Sequence, residues 1–74
     1  MNHSAIVLFG HGARDPEWAQ PMRRAREAVL RAAPAAAVEL AFLEFMKPGL
    51  VDAIDCLALG GARRVTVVPM FLAQ

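Results

Sequence analysis

The chain has one cysteine, Cys56, so no internal disulfide can staple it. That cysteine lies in an apolar run and is expected as a buried thiol. No apolar stretch approaches the roughly 18 residues of a membrane span. Only five apolar residues, Ala5 to Phe9, separate Ser4 from Gly10, too few for the core of a signal peptide. Net charge is nearly absent as well: eight Lys and Arg against seven Asp and Glu leave +1. That balance argues against nucleic acid or a membrane surface as partner. Arg23, Arg24 and Arg26 sit at helical spacing beside Glu27 and are expected as a solvated helix face rather than a basic patch. No internal repeat occurs, and the only biased stretch is the alanine-rich 32–37. The expected setting is therefore soluble and cytoplasmic.

What the chain has in excess is apolar surface. Its 74 residues make one small domain, which hides only about 60% of its unfolded surface. Yet 57% of the residues are hydrophobic, against about 45–50% in an ordinary globular domain. That surplus exceeds what one small core uses, and it implies a homo-oligomer, a dimer in the simplest case, or a piece of a longer protein.

Three segments, Ala5–Phe9, Val38–Leu43 and Val65–Leu72, are nearly unbroken apolar runs rich in branched and aromatic residues. Continuous rather than alternating hydrophobicity suits strands covered on both faces, as in parallel sheets. Pro69 has no N–H to give, so it belongs near the exit of the third strand or along an unpaired edge. Between the first two strands, Trp18, Met22, Ala25, Val29 and Ala32 recur at steps of three and four, which predicts one apolar stripe on a helix. Asp15-Pro16 resembles an N-cap with proline at the first helical position. Pro21 conflicts with a regular helix so early and predicts an irregular first turn, while Pro34 stops the helix. A second helix is predicted from about Pro48, with Leu50, Ile54 and Leu57 inward and Asp52 and Asp55 outward. The two acids favour its N-terminal half through the helix dipole, and Gly60-Gly61 ends it. The order β-α-β-α-β predicts an open parallel α/β sheet with right-handed crossovers.

Parallel strands put all their C-terminal ends on one rim, where ligands of α/β sheets bind. His11, Glu44 and Gln74 each follow a predicted strand. His11 stands between Gly10 and Gly12, and glycines let backbone approach a ligand closely. Imidazole is largely neutral at pH 7 and suits metal coordination or proton acceptance; a turn histidine bonded to a nearby carbonyl is the plainer alternative. Glu44, in AFLEFMKP, could be a ligand or base, a solvated acid, or a partner of Lys47. Arg14 points to the same rim, either to hold a carboxylate or phosphate or to pair with Asp15 or Glu17. His3, Arg63 and Arg64 fall on the opposite rim.

Three motifs in order, LFGHGARDPEW, VELAFLEFMKPGLVDAID and GARRVTVVPMFLAQ, resemble the class II tetrapyrrole chelatases. The similarity is to the small CbiX-type sirohydrochlorin cobaltochelatases and their ferrochelatase relatives. The resemblance implies ATP-independent insertion of cobalt or ferrous iron into sirohydrochlorin, toward cobalamin or siroheme, with no organic cofactor. It also implies that His11 is metal ligand and base, and that Glu44 assists metal binding or proton removal. Imidazole and carboxylate suit borderline divalent metals, and the substrate's carboxylates suit Arg14. The family pattern continues beyond PxFL with a glycine-containing loop, a second histidine and a further helix, strand and helix. Those are not in these 74 residues, so the expectation is one chelatase-like domain over 1–74, incomplete at its C-terminus. Two other readings stand beside it. One is a non-catalytic metal- or tetrapyrrole-binding module. The other is histidine-dependent phosphoryl transfer, which needs an arginine immediately before the histidine where this chain has Gly10.

Overall fold

A computed structural model describes residues 3–71. Strand β1 is Ser4–Gly10, followed by a 3-10 turn at Pro16–Ala19 and helix α1 at Gln20–Ala32. Then come β2 at Ala37–Phe42, α2 at Leu50–Leu59 and β3 at Arg64–Pro69. The sheet order is β2-β1-β3, and both pairings are parallel. The predicted architecture is therefore present, with β1 in the middle. The third strand ends at Pro69 and not at the expected Leu72, with Met70 and Phe71 already outside it; Leu72 and Gln74 lie outside the described residues.

The pleat of β1 explains its unbroken hydrophobicity. Ala5 and Val7 point to one face and join Ala41, Ala53 and Leu57, which bring in α2. Leu8 points to the other face and joins Ala19, Met22, Val38 and Phe42, which bring in α1. Both faces are dry, so neither needs a polar residue. From β1 the chain crosses to β2 over one face, then returns past β1 to β3 over the other. Opposite directions over opposite faces give both crossovers the same hand, and parallel crossovers are overwhelmingly right-handed.

Three expectations at the helices need comment. Trp18 does not join the apolar stripe; it is 67% exposed, and Ala19 is buried instead. The cause is the irregular start that Pro21 imposes. Residues 16–19 wind as a 3-10 turn, with Asp15 Oδ1 accepting from the Glu17 N–H at 2.9 Å. At about three residues per turn rather than 3.6, the stripe is rotated before α1 begins. Cys56 is exposed rather than buried, because Leu50, Ala53, Ile54 and Leu57 form the inward stripe of α2 and residue 56 lies off it. Arg26 is not simply solvated: its Nε–H donates to the Val38 carbonyl at 2.8 Å.

That last bond closes part of the β2 edge. The Phe42 N–H, on the same outer side, donates to the Pro48 carbonyl at 2.9 Å, so the loop after β2 covers its other end. The β3 edge differs. Met70 N–H donates inward to the Phe9 carbonyl at 2.7 Å, which by alternation turns Pro69 outward, where it needs no N–H. Within β3 only Val65 is partly buried, while Val67 and Val68 remain exposed.

Candidate functional site

The β1–β2 pairing does not stop at the strand ends. Leu43 N–H donates to the Gly10 carbonyl at 2.9 Å, and Glu44 N–H to the His11 carbonyl at 3.2 Å. Two further backbone bonds thus tie the two strand exits together on the C-terminal rim and bring Glu44 beside His11. Gly12 makes that approach possible. Its φ is +91°, and a Cβ there would sit 1.9 Å from the Glu44 carbonyl oxygen. No side chain fits without separating the two loops. Gly10 is more forgiving, because what its Cβ would meet is the flexible end of Met22.

His11 Nε2 lies 3.4 Å from Glu44 Oε1, with the two side chains 63% and 52% exposed. So open a pair adds little to folding stability. Its geometry instead points a nitrogen and an oxygen donor at one accessible spot. The His11 ring also meets Phe71 edge-on, with centroids 5.9 Å apart, and Phe71 in turn packs on Phe9 at 5.2 Å. The imidazole is thereby held between a carboxylate from the β2 exit and an aromatic ring from the β3 exit. Among the described residues no group of three or more His, Cys, Asp or Glu side chains gathers as a metal cage. His11 and Glu44 are the donors that the described residues bring together here.

Arg14 is on the same rim. Its guanidinium carbon lies 5.1 Å from the centroid of the Phe45 ring. It makes no ion pair among the described residues, with Asp15, Glu17 or Glu44. Glu44 is taken up by His11 and not by Lys47. His3 is at the other end of the sheet, where its carbonyl accepts from the Arg63 and Arg64 N–H groups, as expected for the opposite rim.

Beside His11 opens an apolar cleft of about 440 Å³, lined among others by Gly12, Trp18, Met22, Met46, Met70 and Phe71. It lies where the chain leaves neighbouring strands β1 and β3, the position at which parallel sheets bind ligands, and its volume is that of a small-molecule site. A second hollow, along the β2 edge, is lined by Arg23, Glu27, Glu39 and Lys47. A third lies at the opposite rim by His3. His11 lines only the first of these three hollows, and Glu44 stands beside it outside the cleft lining. Sequence reasoning missed Trp18, Met46, Met70 and Phe71 as cleft residues. The helical periodicity places Trp18 in the core stripe, and the apolar run places Phe71 in the third strand. The available signal was Pro69, which ends the strand and leaves Phe71 on the rim.

A family model described as CbiX matches residues 5–74. The chain belongs to the CbiX family. A sirohydrochlorin cobaltochelatase of Methanopyrus kandleri is 36% identical over 70 residues, which is 95% of this chain and 49% of that protein. One from Saccharolobus islandicus is 37% identical over 68 residues, 92% of this chain and 52% of that protein. The chain thus spans about half the length of the curated CbiX relatives it matches. Among solved structures, a putative cobalamin biosynthesis CbiX protein from Marinobacter aquaeolei superposes with a TM-score of 0.77. It is 27% identical, over 96% of this chain and 57% of that one. The α/β sheet is the fold of this CbiX neighbour.

Proposed function

We propose that this chain serves cobalt insertion into sirohydrochlorin, with His11 and Glu44 handling the incoming metal and the departing protons. The observation that carries the reading is the 3.4 Å His11–Glu44 pair, whose imidazole lines an apolar cleft. Insertion joins Co²⁺ to four ring nitrogens and releases two pyrrole N–H protons, so atoms and charge balance with no oxidant and no ATP. A metal that must be handed over has to be held by few protein donors. An imidazole and a carboxylate suit Co²⁺ and leave most coordination positions open to the macrocycle. Ferrous iron has compatible ligand preferences and is the alternative metal substrate. Both side chains are more than half exposed, so a proton taken from the macrocycle passes directly to water.

The apolar cleft suits the flat face of a tetrapyrrole, with Trp18 and Phe71 as its aromatic walls. The acidic periphery of the macrocycle suits Arg14, whose cation makes no ion pair among the described residues. We further propose that the working form is a dimer or larger, which supplies cover for the exposed apolar surface and further walls for the cleft.

The test uses the chain as it is. Trp18 is its single tryptophan, so its emission reports occupancy of the cleft, and the visible spectrum of sirohydrochlorin reports metal insertion. Expected are quenching by sirohydrochlorin, saturable Co²⁺ binding and a weak Co²⁺-dependent absorbance change lost in Glu44→Gln. Binding of both ligands with no insertion would favour a binding module, and turnover of a phosphomonoester would favour phosphoryl transfer.

A further inference from the structure

Phe45 is anomalous in two respects. Its φ of 69° lies in the left-handed region, which bulky side chains rarely adopt. It is also 56% exposed, so burial does little to offset the strain. Strain of this kind persists only where surrounding contacts over-determine the backbone, and it clusters at functional sites. Here the anchors are the bonds from the Phe42, Leu43 and Glu44 N–H groups to Pro48, Gly10 and His11. They fix the chain immediately before Phe45 and aim its ring at Arg14.

We propose that Phe45 is a positioning residue. Its ring is a shelf that holds the Arg14 guanidinium out of ion pairs, open to a carboxylate of the ligand seated at the His11–Glu44 pair. The chemistry of guanidinium supports this. Stacking occupies a face of the planar cation and leaves its in-plane N–H donors free for bidentate carboxylate bonds. Without the shelf, the flexible Arg14 side chain has Asp15, Glu17 and Glu44 nearby in sequence or on the same rim. Pairing with Glu44 would take up both the ligand-binding cation and the carboxylate beside His11. The inference rests on the proposed tetrapyrrole site and assigns its recognition of the acidic periphery to an Arg14–Phe45 unit.

The experiment compares Arg14→Ala, Phe45→Gly, Phe45→Tyr and the Arg14→Ala/Phe45→Gly double variant. Glycine suits a positive φ, so Phe45→Gly keeps the loop path while removing the ring, and Phe45→Asn is a second ring-free variant that tolerates it. Two probes are used: a polycarboxylate porphyrin and the same macrocycle with its carboxylates esterified. Expected is about a tenfold weaker affinity for the acid form in either single variant, about 1.4 kcal/mol. The double variant should be no weaker than the singles, Phe45→Tyr should restore affinity, and the ester should not discriminate among them. Additive losses, or equal losses for acid and ester, overturn the proposal. Should the wild-type chain bind neither macrocycle, the tetrapyrrole reading fails and citrate decides the matter of Phe45. The Arg14 Nε–H resonance must then shift on citrate addition in the wild-type chain and not in Phe45→Gly. Equal shifts in both would overturn the shelf.

Discussion

At the scale of single residues, the rim separates what binds from what folds. His11 and Glu44 are mostly exposed, so their contact contributes little to stability, and their removal should be nearly silent in unfolding. His11→Ala is expected to abolish Co²⁺ binding by calorimetry while changing unfolding free energy by less than about 1 kcal/mol. His3→Ala, at the opposite rim, should leave binding intact; equal loss in both would mean adventitious binding at the N-terminus. Gly12 is the reverse case, a residue without chemistry on which the site depends. Gly12→Ala forces a Cβ into the Glu44 carbonyl and an unfavourable φ. It should cost roughly 2–4 kcal/mol in urea unfolding, and any folded remainder should bind Co²⁺ more weakly because Glu44 has been pushed from His11.

At the scale of elements, the notable feature is how differently the two sheet edges are treated. The β2 edge is closed by the Arg26 side chain and by the loop returning through Pro48. Arg26→Met keeps much of the apolar stem but removes the donor to Val38. It should lower stability by about 1 kcal/mol and increase aggregation, read by denaturation and light scattering; no change in either would show that the bond is incidental. The start of α1 is the other element-scale lesson. Asp15 caps a 3-10 turn rather than the helix itself, and this change of pitch swings Trp18 out of the core and into the cleft. Asp15→Ala should cost about 1 kcal/mol.

At the scale of the whole molecule, the exposed apolar residues are distributed rather than stray. Leu59 and Val51 on α2, Val67 and Val68 on β3, and Leu43, Phe45 and Phe71 on the rim are all open to solvent. A parallel strand exposed on both faces and along one edge favours association. Sedimentation at micromolar concentration should show a dimer or larger species. Val67→Lys, which places a charge on the open strand, should shift it toward monomer. A wild-type chain that stays monomeric and folded throughout would refute the dimer.

The sequence by itself determined the elements. Unbroken apolar runs marked three strands, although β3, unlike β1, is left largely open, and the stripe from Met22 to Val29 marked α1. Proline and glycine marked most boundaries, because these are short-range preferences written in neighbouring residues. It also placed His11, Glu44 and Arg14 on one rim, since parallel strands leave no other place for residues that follow them. Only the tertiary structure decided what touches what. The middle position of β1, and a register that pairs Gly10 with Phe42, bring His11 within 3.4 Å of a carboxylate 33 residues along the chain. Phe71 against the imidazole, Phe45 beneath Arg14 and Trp18 in the cleft come from three different loops. Their meeting depends on how the strands pair and where the pitch changes, and no local pattern encodes those.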